Sequence, residues 1–230
     1  MKKRLVIIPA YNESGSIEKT VMDIKEHAQS FDYVIVNDCS KDDTLKKCRD
    51  NGFHVIDLPL NLGIGGGVQT GYMYALQNGY DIAVQFDGDG QHNASYLEAM
   101  AEKLEAEQLD MLVGSRFIEN EGFQSSFMRR VGIRYFSILI KLLTGKTVTD
   151  PTSGMRMVNR KVIQDFVNYY PKDYPEPESV VSLLKKGYNV KEMAVVMNER
   201  EEGKSSISAL NSIYYMIKVS FAVLVAAVNR

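Results

Sequence analysis

Short runs of apolar and β-branched residues at 5–8, 33–36, 55–58, 82–86 and 111–113 alternate with segments of helical periodicity, and each run stops at a polar or glycine cluster. Alternation of this kind, with short connections, predicts an α/β fold: a mostly parallel, doubly wound sheet flanked by helices. Helices are predicted over 17–29, 42–51, 68–77, 95–107, 127–143 and 179–186, and a further strand over 190–197. Ile17, Val21 and Ile24 share one face of the first helix. Ser40 and Gly52 bracket the second as N-cap and stop. Three prolines, Pro171, Pro175 and Pro177, mark 171–177 as loop. At 230 residues the chain can bury the core of one such domain, with or without an appendage.

In open sheets of this class ligands gather at the carboxyl ends of the strands, so the residues that stop each run are the candidates for chemistry. The fourth run ends in Phe86-Asp87-Gly88-Asp89-Gly90-Gln91-His92. Asp87 and Asp89, two apart, can reach one hard cation, with Gln91 and His92 beside them. Oxygen ligands suit Mg²⁺ or Mn²⁺, with substrate phosphate completing the shell. The plain alternative is a strand that ends in an Asx-Gly turn with solvated carboxylates. Glu13 and Asp38 end the first two runs, and carboxylates collected at one sheet edge suggest a base or ribose contact beside a metal. The glycine-rich stretch 61–67 is not a P-loop, because no Gly-Lys-Ser/Thr follows it. It lacks the third glycine of a dinucleotide fingerprint as well. Close helix–strand packing is the other use for those glycines. Arg116, Arg129 or Arg130, and Arg200 are candidates to meet a diphosphate with their fixed forks, with a solvated surface role as the alternative for each.

Several classes are disfavoured. A net charge of −2 gives no field to recruit nucleic acid. Cys39 and Cys48 follow no metal or redox spacing, which points to a reduced, cytosolic compartment. About five apolar residues follow Lys2, Lys3 and Arg4, too few for a signal peptide, and no run approaches the ~20 of a membrane span. Two stretches are nonetheless suited to a membrane surface. Residues 127–146 are amphipathic and carry Arg129, Arg130, Arg134, Lys141 and Lys146, as an interfacial helix requires. Residues 213–228 are apolar but for Lys218 and Ser220. Core packing is the alternative for the first, and burial on the domain or a partner subunit for the second.

Six motifs occur in one order: Pro9-Ala10-Tyr11-Asn12-Glu13, Asn37-Asp38, the glycine stretch, Asp87-Gly88-Asp89-Gly90-Gln91-His92, Gly114-Ser115-Arg116 and Asp150-Pro151-Thr152-Ser153-Gly154-Met155-Arg156. In this the chain resembles family-2 glycosyltransferases of the GT-A fold, and among them the dolichol-phosphate mannosyltransferase and bacterial polyprenyl-phosphate glycosyltransferase group. The resemblance spans residues 4–206 and implies a catalytic domain over 1–206, with 207–230 left as a C-terminal apolar helix.

It also implies an inverting transfer of a hexose or N-acetylhexosamine from a nucleotide sugar, UDP-glucose or UDP-N-acetylglucosamine ahead of GDP-mannose, to polyprenyl phosphate. By the same resemblance Pro9, Ala10, Tyr11, Glu13, Asp38 and Gly66 hold the nucleotide, while Asp87, Asp89 and Gln91 carry Mg²⁺ or Mn²⁺. Arg116, Arg129 or Arg130, and Arg200 meet phosphates, and Ser153 and Gly154 border the sugar. Arg156 has a structural role as its alternative. Asp89, Arg116, Arg130 and Glu178 make up the implied catalytic set. Glu178 aligns with a carboxylate of the lipid-phosphate group, its other reading being a helix N-terminal carboxylate beside the dipole.

Many polysaccharide-forming members place a Glu-Asp pair where this chain reads Tyr174-Pro175-Glu176-Pro177-Glu178. A hydroxyl acceptor needs such a base and a phosphate anion does not, so the departure favours the lipid phosphate. A transferase for a sugar hydroxyl is the alternative within enzymes; a non-catalytic sugar-nucleotide binding subunit is more remote. The expected partners are the donor, the lipid acceptor and a membrane surface or small membrane protein, with oligomers possible. The expected location is the cytoplasm, on the inner face of the cell membrane.

Overall fold

The computed structural model describes residues 2–119, 127–198 and 209–228. Its strands are β1 (Arg4–Ala10), β2 (Phe31–Asn37), β3 (Val55–Asp57), β4 (Ile82–Gln85), β5 (Met111–Ser115), β6 (Arg156–Asn159) and β7 (Val190–Ala194). The helices are α1 (Ile17–His27), α2 (Thr44–Asp50), α3 (Gly63–Gln77), α4 (Leu97–Ala106), α5 (Phe127–Thr144), α6 (Arg160–Asn168), α7 (Pro175–Lys185) and α8 (Ala209–Val228).

The strands form one seven-stranded sheet in the order β3-β2-β1-β4-β6-β5-β7. Every pairing is parallel except those of β6, which runs antiparallel to both β4 and β5. Side chains alternate across the pleat, so β1 sends Leu5 and Ile7 to one core layer and Val6 and Ile8 to the other. The first layer is filled from α3, α5, α6, α7 and α8, the second from α1, α2 and α4. A sheet covered on both faces explains why its parallel strands read as continuous apolar runs.

Two local expectations are revised, and one unassigned stretch gains regular structure. Residues 63–67 are not a loop but the opening turns of α3. Gly65 sits so close to the backbone of Pro171 and Lys172 that a Cβ would collide with both carbonyls, and its N–H donates to Lys172 O at 3.1 Å. Gly65 therefore serves packing. Pro175 and Pro177 open α7, where the missing N–H groups would have had no partner inside the helix. Residues 156–168, left unassigned by periodicity, form β6 and α6.

The antiparallel β6 matters most for function. Its first residue, Arg156, pairs with Gln85 on β4 and Val113 on β5, so the chain preceding it arrives at the edge where those two strands end. That is how the 150–155 motif reaches the end of β4.

Candidate active site

The ends of β1 and β2 are locked side by side. Asp38 N donates to Ala10 O at 2.9 Å, one step past the last strand pair. Beyond it, Asn12 N donates to Ser40 Oγ (3.0 Å), Lys41 N to Asn12 Oδ1 (2.8 Å) and Glu13 N to Thr44 Oγ1 (2.8 Å). Asn12 and Cys39 both take φ of 57°, a left-handed conformation that asparagine tolerates well and a cysteine adopts only when its surroundings enforce it. Asp38 is buried, and its Oδ1 accepts from Leu62 N at 2.6 Å, satisfying an orphan donor at the start of α3. Tyr11 stays exposed beside this frame, while Ala10 is buried in the strand. Pro9 lies between two glycines: a Cβ on Gly88 would crowd its carbonyl, and one on Gly67 would touch its ring.

The β4 loop is stitched to the same frame. Ser16 Oγ lies 2.7 Å from Gly88 O and 3.0 Å from Glu13 Oε2. Asp87 N donates to His92 Nδ1 at 3.0 Å, so the imidazole carries its proton on Nε2, which sits 3.8 Å from Asp87 Oδ2. His92 is buried with its ring against Phe86. Asp89 Oδ1 accepts from Gln91 N at 3.1 Å, which is the Asx turn foreseen as the plain alternative. The turn engages one oxygen of the Asp89 carboxylate.

The 149–155 segment closes over Asp87. Arg116 grips Asp150 with a two-pronged salt bridge, Nε to Oδ2 at 2.7 Å and Nη2 to Oδ1 at 2.8 Å, and Asp150 is fully buried. Thr149 N and Asp150 N donate to Glu192 on β7 at 2.7 and 2.8 Å. Burial pushes the Glu192 carboxyl up, against those hydrogen bonds. Ser153 is buried and accepts from Met155 N at 3.3 Å. Gly154 then comes so near the Asp87 carboxylate that a Cβ would collide with Oδ2.

Behind Asp87 lies a buried polar cluster. Gln85 Nε2 donates to Asp87 Oδ1 at 3.0 Å. Arg156 Nη2 and Tyr170 OH both donate to Gln85 Oε1, at 2.8 and 3.3 Å, and Arg156 Nη1 donates to Ser179 Oγ at 2.6 Å. Arg156 is almost wholly buried, in agreement with a structural role. Glu176 Oε1 stands 3.8 Å from Arg156 Nη2. Burial raises the Glu176 carboxyl; Arg156 opposes this and the charge of Asp87 adds to it.

The structure thus gathers Pro9, Ala10, Tyr11, Glu13, Asp38, Asp87, Asp89, Gln91, Ser153 and Gly154 at one edge. Arg116 is there too, with two of its nitrogens on Asp150. Gly66 lies inside α3 against Leu62. Arg130 is exposed on α5. Glu178 points elsewhere: it accepts from Tyr169 OH at 2.9 Å and lines a 440 Å³ cavity with Gln69, Lys172, Asp173 and Lys218. Arg200 lies outside the described residues. Sequence reasoning missed Gln85 and Glu176. Gln85 carried a signal, because a glutamine inside a buried apolar strand must find partners.

The site fits a hard divalent cation. The Asp87 side chain is 35 % exposed, one oxygen is anchored, and Gly154 leaves beside the other a cradle that any side chain would fill. Among the described residues no three His, Cys, Asp or Glu side chains enclose a metal by themselves. Mg²⁺ and Mn²⁺ ordinarily rest on one or two carboxylates and take the remainder from phosphate and water.

The model of the family described as glycosyl transferase family 2 matches residues 5–167. A UDP-N-acetylglucosamine–dolichyl-phosphate N-acetylglucosaminyltransferase from Methanococcus voltae is 32% identical over 178 residues, covering 69% of this chain and 70% of its own. An undecaprenyl-phosphate mannosyltransferase from Micrococcus luteus is 27% identical over 213 residues, 89% of this chain and 87% of its own. Among solved structures, glucosyl-3-phosphoglycerate synthase from Mycobacterium tuberculosis, in complex with Mn²⁺, uridine diphosphate and glucosyl-3-phosphoglycerate, superposes with a TM-score of 0.71. It shares 17% identity and covers 98% of this chain and 80% of that one, so the likeness is one of fold.

Proposed function

The chain belongs to glycosyl transferase family 2, and we propose that it transfers a hexose or N-acetylhexosamine from a nucleotide sugar to a polyprenyl phosphate with inversion at the anomeric carbon. The observation that carries this reading is the closure of Gly154 onto Asp87 at the edge where Glu13, Asp38 and Asp89 also gather. Relatives named for undecaprenyl and dolichyl phosphates support the lipid acceptor. They are named for different sugars, and UDP-glucose or UDP-N-acetylglucosamine is favoured here over GDP-mannose.

Pro9, Ala10, Tyr11, Glu13 and Asp38 hold the nucleoside against the ends of β1 and β2. Asp87 and Asp89, with Gln91, would hold Mg²⁺ or Mn²⁺, and such an ion would offset charge on the departing diphosphate. Arg116 keeps the 150–154 segment in place through Asp150, so Ser153 and Gly154 border the donor sugar. Arg130 and Arg200 are proposed to meet phosphate. A polyprenyl phosphate is an anion at neutral pH and attacks without a base, and its alignment behind the anomeric carbon is the enzyme's contribution. In this reading Glu178 serves the acceptor side and not the metal.

The acceptor requires a membrane surface. Met128, Val131, Tyr135, Ile138 and Leu142 on α5, and Ile217, Phe221 and Leu224 on α8, are exposed apolar side chains. Arg130, Arg134, Lys141 and Lys146 lie on or beside α5. No helix among the described residues is long and apolar enough to cross a membrane. These exposed apolar and basic side chains support a proposed peripheral attachment to the inner face of the cell membrane, through lipid or a small membrane protein.

One observation favours a second reading: Glu176, 3.8 Å from Arg156, is a second carboxylate within electrostatic reach of Asp87, and a sugar-hydroxyl acceptor would need a base. Labelled UDP-glucose, UDP-N-acetylglucosamine or GDP-mannose, incubated with Mn²⁺ and either undecaprenyl phosphate or an oligosaccharide, separates the two. An acid-labile, solvent-extractable product is expected. Label appearing in the oligosaccharide alone would overturn the lipid acceptor.

A further inference from the structure

Gln85 is a neutral amide in the buried interior of the sheet, on the face that also carries Ala83 and the first core layer. Burying an amide there is costly unless both of its ends are paired. The partners fix which end points where. Arg156 sits opposite Gln85 in the antiparallel β4–β6 register, and a guanidinium has only donors to offer. Tyr170 OH adds a second donor to the same oxygen, Gln85 Oε1. Turning the amide over would set its NH₂ against both donors, so Nε2 is left facing Asp87 Oδ1 at 3.0 Å.

Arg156 is in turn held from the other side. Its Nη1 donates to Ser179 Oγ, and also lies 3.4 Å from the carbonyls of Pro175 and Glu176 in the first turn of α7. A chain of contacts therefore runs from the start of α7 through Arg156 and Gln85 to one oxygen of Asp87. The other oxygen faces the Gly154 cradle.

We infer that Gln85 is a positioning residue: oriented by Arg156 and Tyr170, it anchors Oδ1 of Asp87 and thereby fixes the rotation at which that carboxylate meets a divalent cation. The inference rests on the reading of Asp87 and Asp89 as cation ligands and goes beyond it by naming what orients Asp87. Residues of this kind commonly govern metal affinity by about 10- to 100-fold.

The test is a titration of the full chain with Mn²⁺ in the presence of UDP, followed by loss of the free-ion electron paramagnetic resonance signal, with thermal melting recorded in parallel. Gln85→Met keeps the length of the side chain and removes its hydrogen bonds with Asp87, Arg156 and Tyr170. It is expected to weaken Mn²⁺ binding by about 10-fold or more. Unchanged Mn²⁺ affinity with a lowered melting temperature would make Gln85 structural only and overturn the inference. Should the wild-type chain take up no Mn²⁺ with UDP, the cation reading itself fails, an outcome plainly different from the first. If Gln85→Met does not fold, Tyr170→Phe removes one of the two donors to Oε1 and keeps the ring packed on Tyr72 and Phe166. It is expected to weaken Mn²⁺ binding in the same direction by a smaller factor, and no change there overturns the inference equally.

Discussion

Two carboxylates in the first turn of α7, Glu176 and Glu178, live in different surroundings although one residue separates them. Two positions along a helix is a rotation of about 200°, so their side chains leave on opposite faces. Glu176 turns inward to Arg156, Gln85 and the charge of Asp87. Glu178 turns outward to Tyr169 and a cavity shared with Lys172, Asp173 and Lys218. The inner region is a buried network in which each polar group orients the next. Around Glu178 the ion pair of Lys218 with Asp173 is solvent-exposed, and such pairs contribute little. The contrast teaches that position in the motif does not assign a role; the face of the helix does.

The largest effect expected from breaking this contrast is on stability, at Arg156. Arg156→Met leaves Glu176, Gln85, Tyr170 and Ser179 without their shared donor in a dry layer. A loss of about 3–5 kcal/mol is expected, since removing one partner of a buried pair strands the other. Urea denaturation reads this directly, and a loss below about 1 kcal/mol would show that the inner network is not coupled as described. Next comes Gly154→Ala, which forces a methyl group against Asp87 Oδ2. Transfer is expected to fall about 100-fold, because a displacement near 1 Å at a reacting site costs that much. Steady-state rates with a labelled donor check it. Arg116→Lys sharpens the picture further from Asp87: a lysine cannot reproduce the two-pronged grip on buried Asp150. A cost of about 1.5–3 kcal/mol is expected in the same denaturation experiment.

Much of the inner region was invisible in the sequence for physical reasons, while its frame was plain. Parallel strands covered on both faces must be apolar, so β1, β2, β4 and β5 announce themselves, while β3 and β7 at the two sheet edges are only partly buried. The antiparallel β6 opens with Arg156, a residue that reads as the end of a turn-rich motif until Gln85 is seen opposite it. Gly65 looks like part of a ligand loop because the chain it approaches, 171–172, is a hundred residues away. Pro175 and Pro177 look like helix breakers but occupy the one turn of a helix where proline costs no hydrogen bond. Asp87, Asp89, Asp38 and Glu13 were legible because each ends a strand of the same sheet, and that edge is a consequence of topology alone. Glu176 could not be chosen over Glu178 without the register of α7.

The smallest effect is predicted at Glu178, and its sign is fixed by the environment. Burial pushes the Glu178 carboxyl above its ordinary 4.5; the hydrogen bond from Tyr169 opposes this, and the charge of Asp173 adds to it. A carboxyl raised in the folded state binds its proton more tightly there than in the unfolded chain. Its contribution is therefore fullest below pH 4.5 and declines as pH rises through the folded value. Glu178→Gln removes that decline, so the variant should gain on the wild type as pH climbs from 4.5 towards neutrality. The comparison is a pair of melting curves across that range. At neutral pH the stability change is expected to stay within about 0.5 kcal/mol, as for a side chain outside any buried network. Transfer to the lipid acceptor by Glu178→Gln is expected to fall at unchanged Mn²⁺ affinity, because the proposed function puts this carboxylate on the acceptor side, and unchanged transfer would remove it from there.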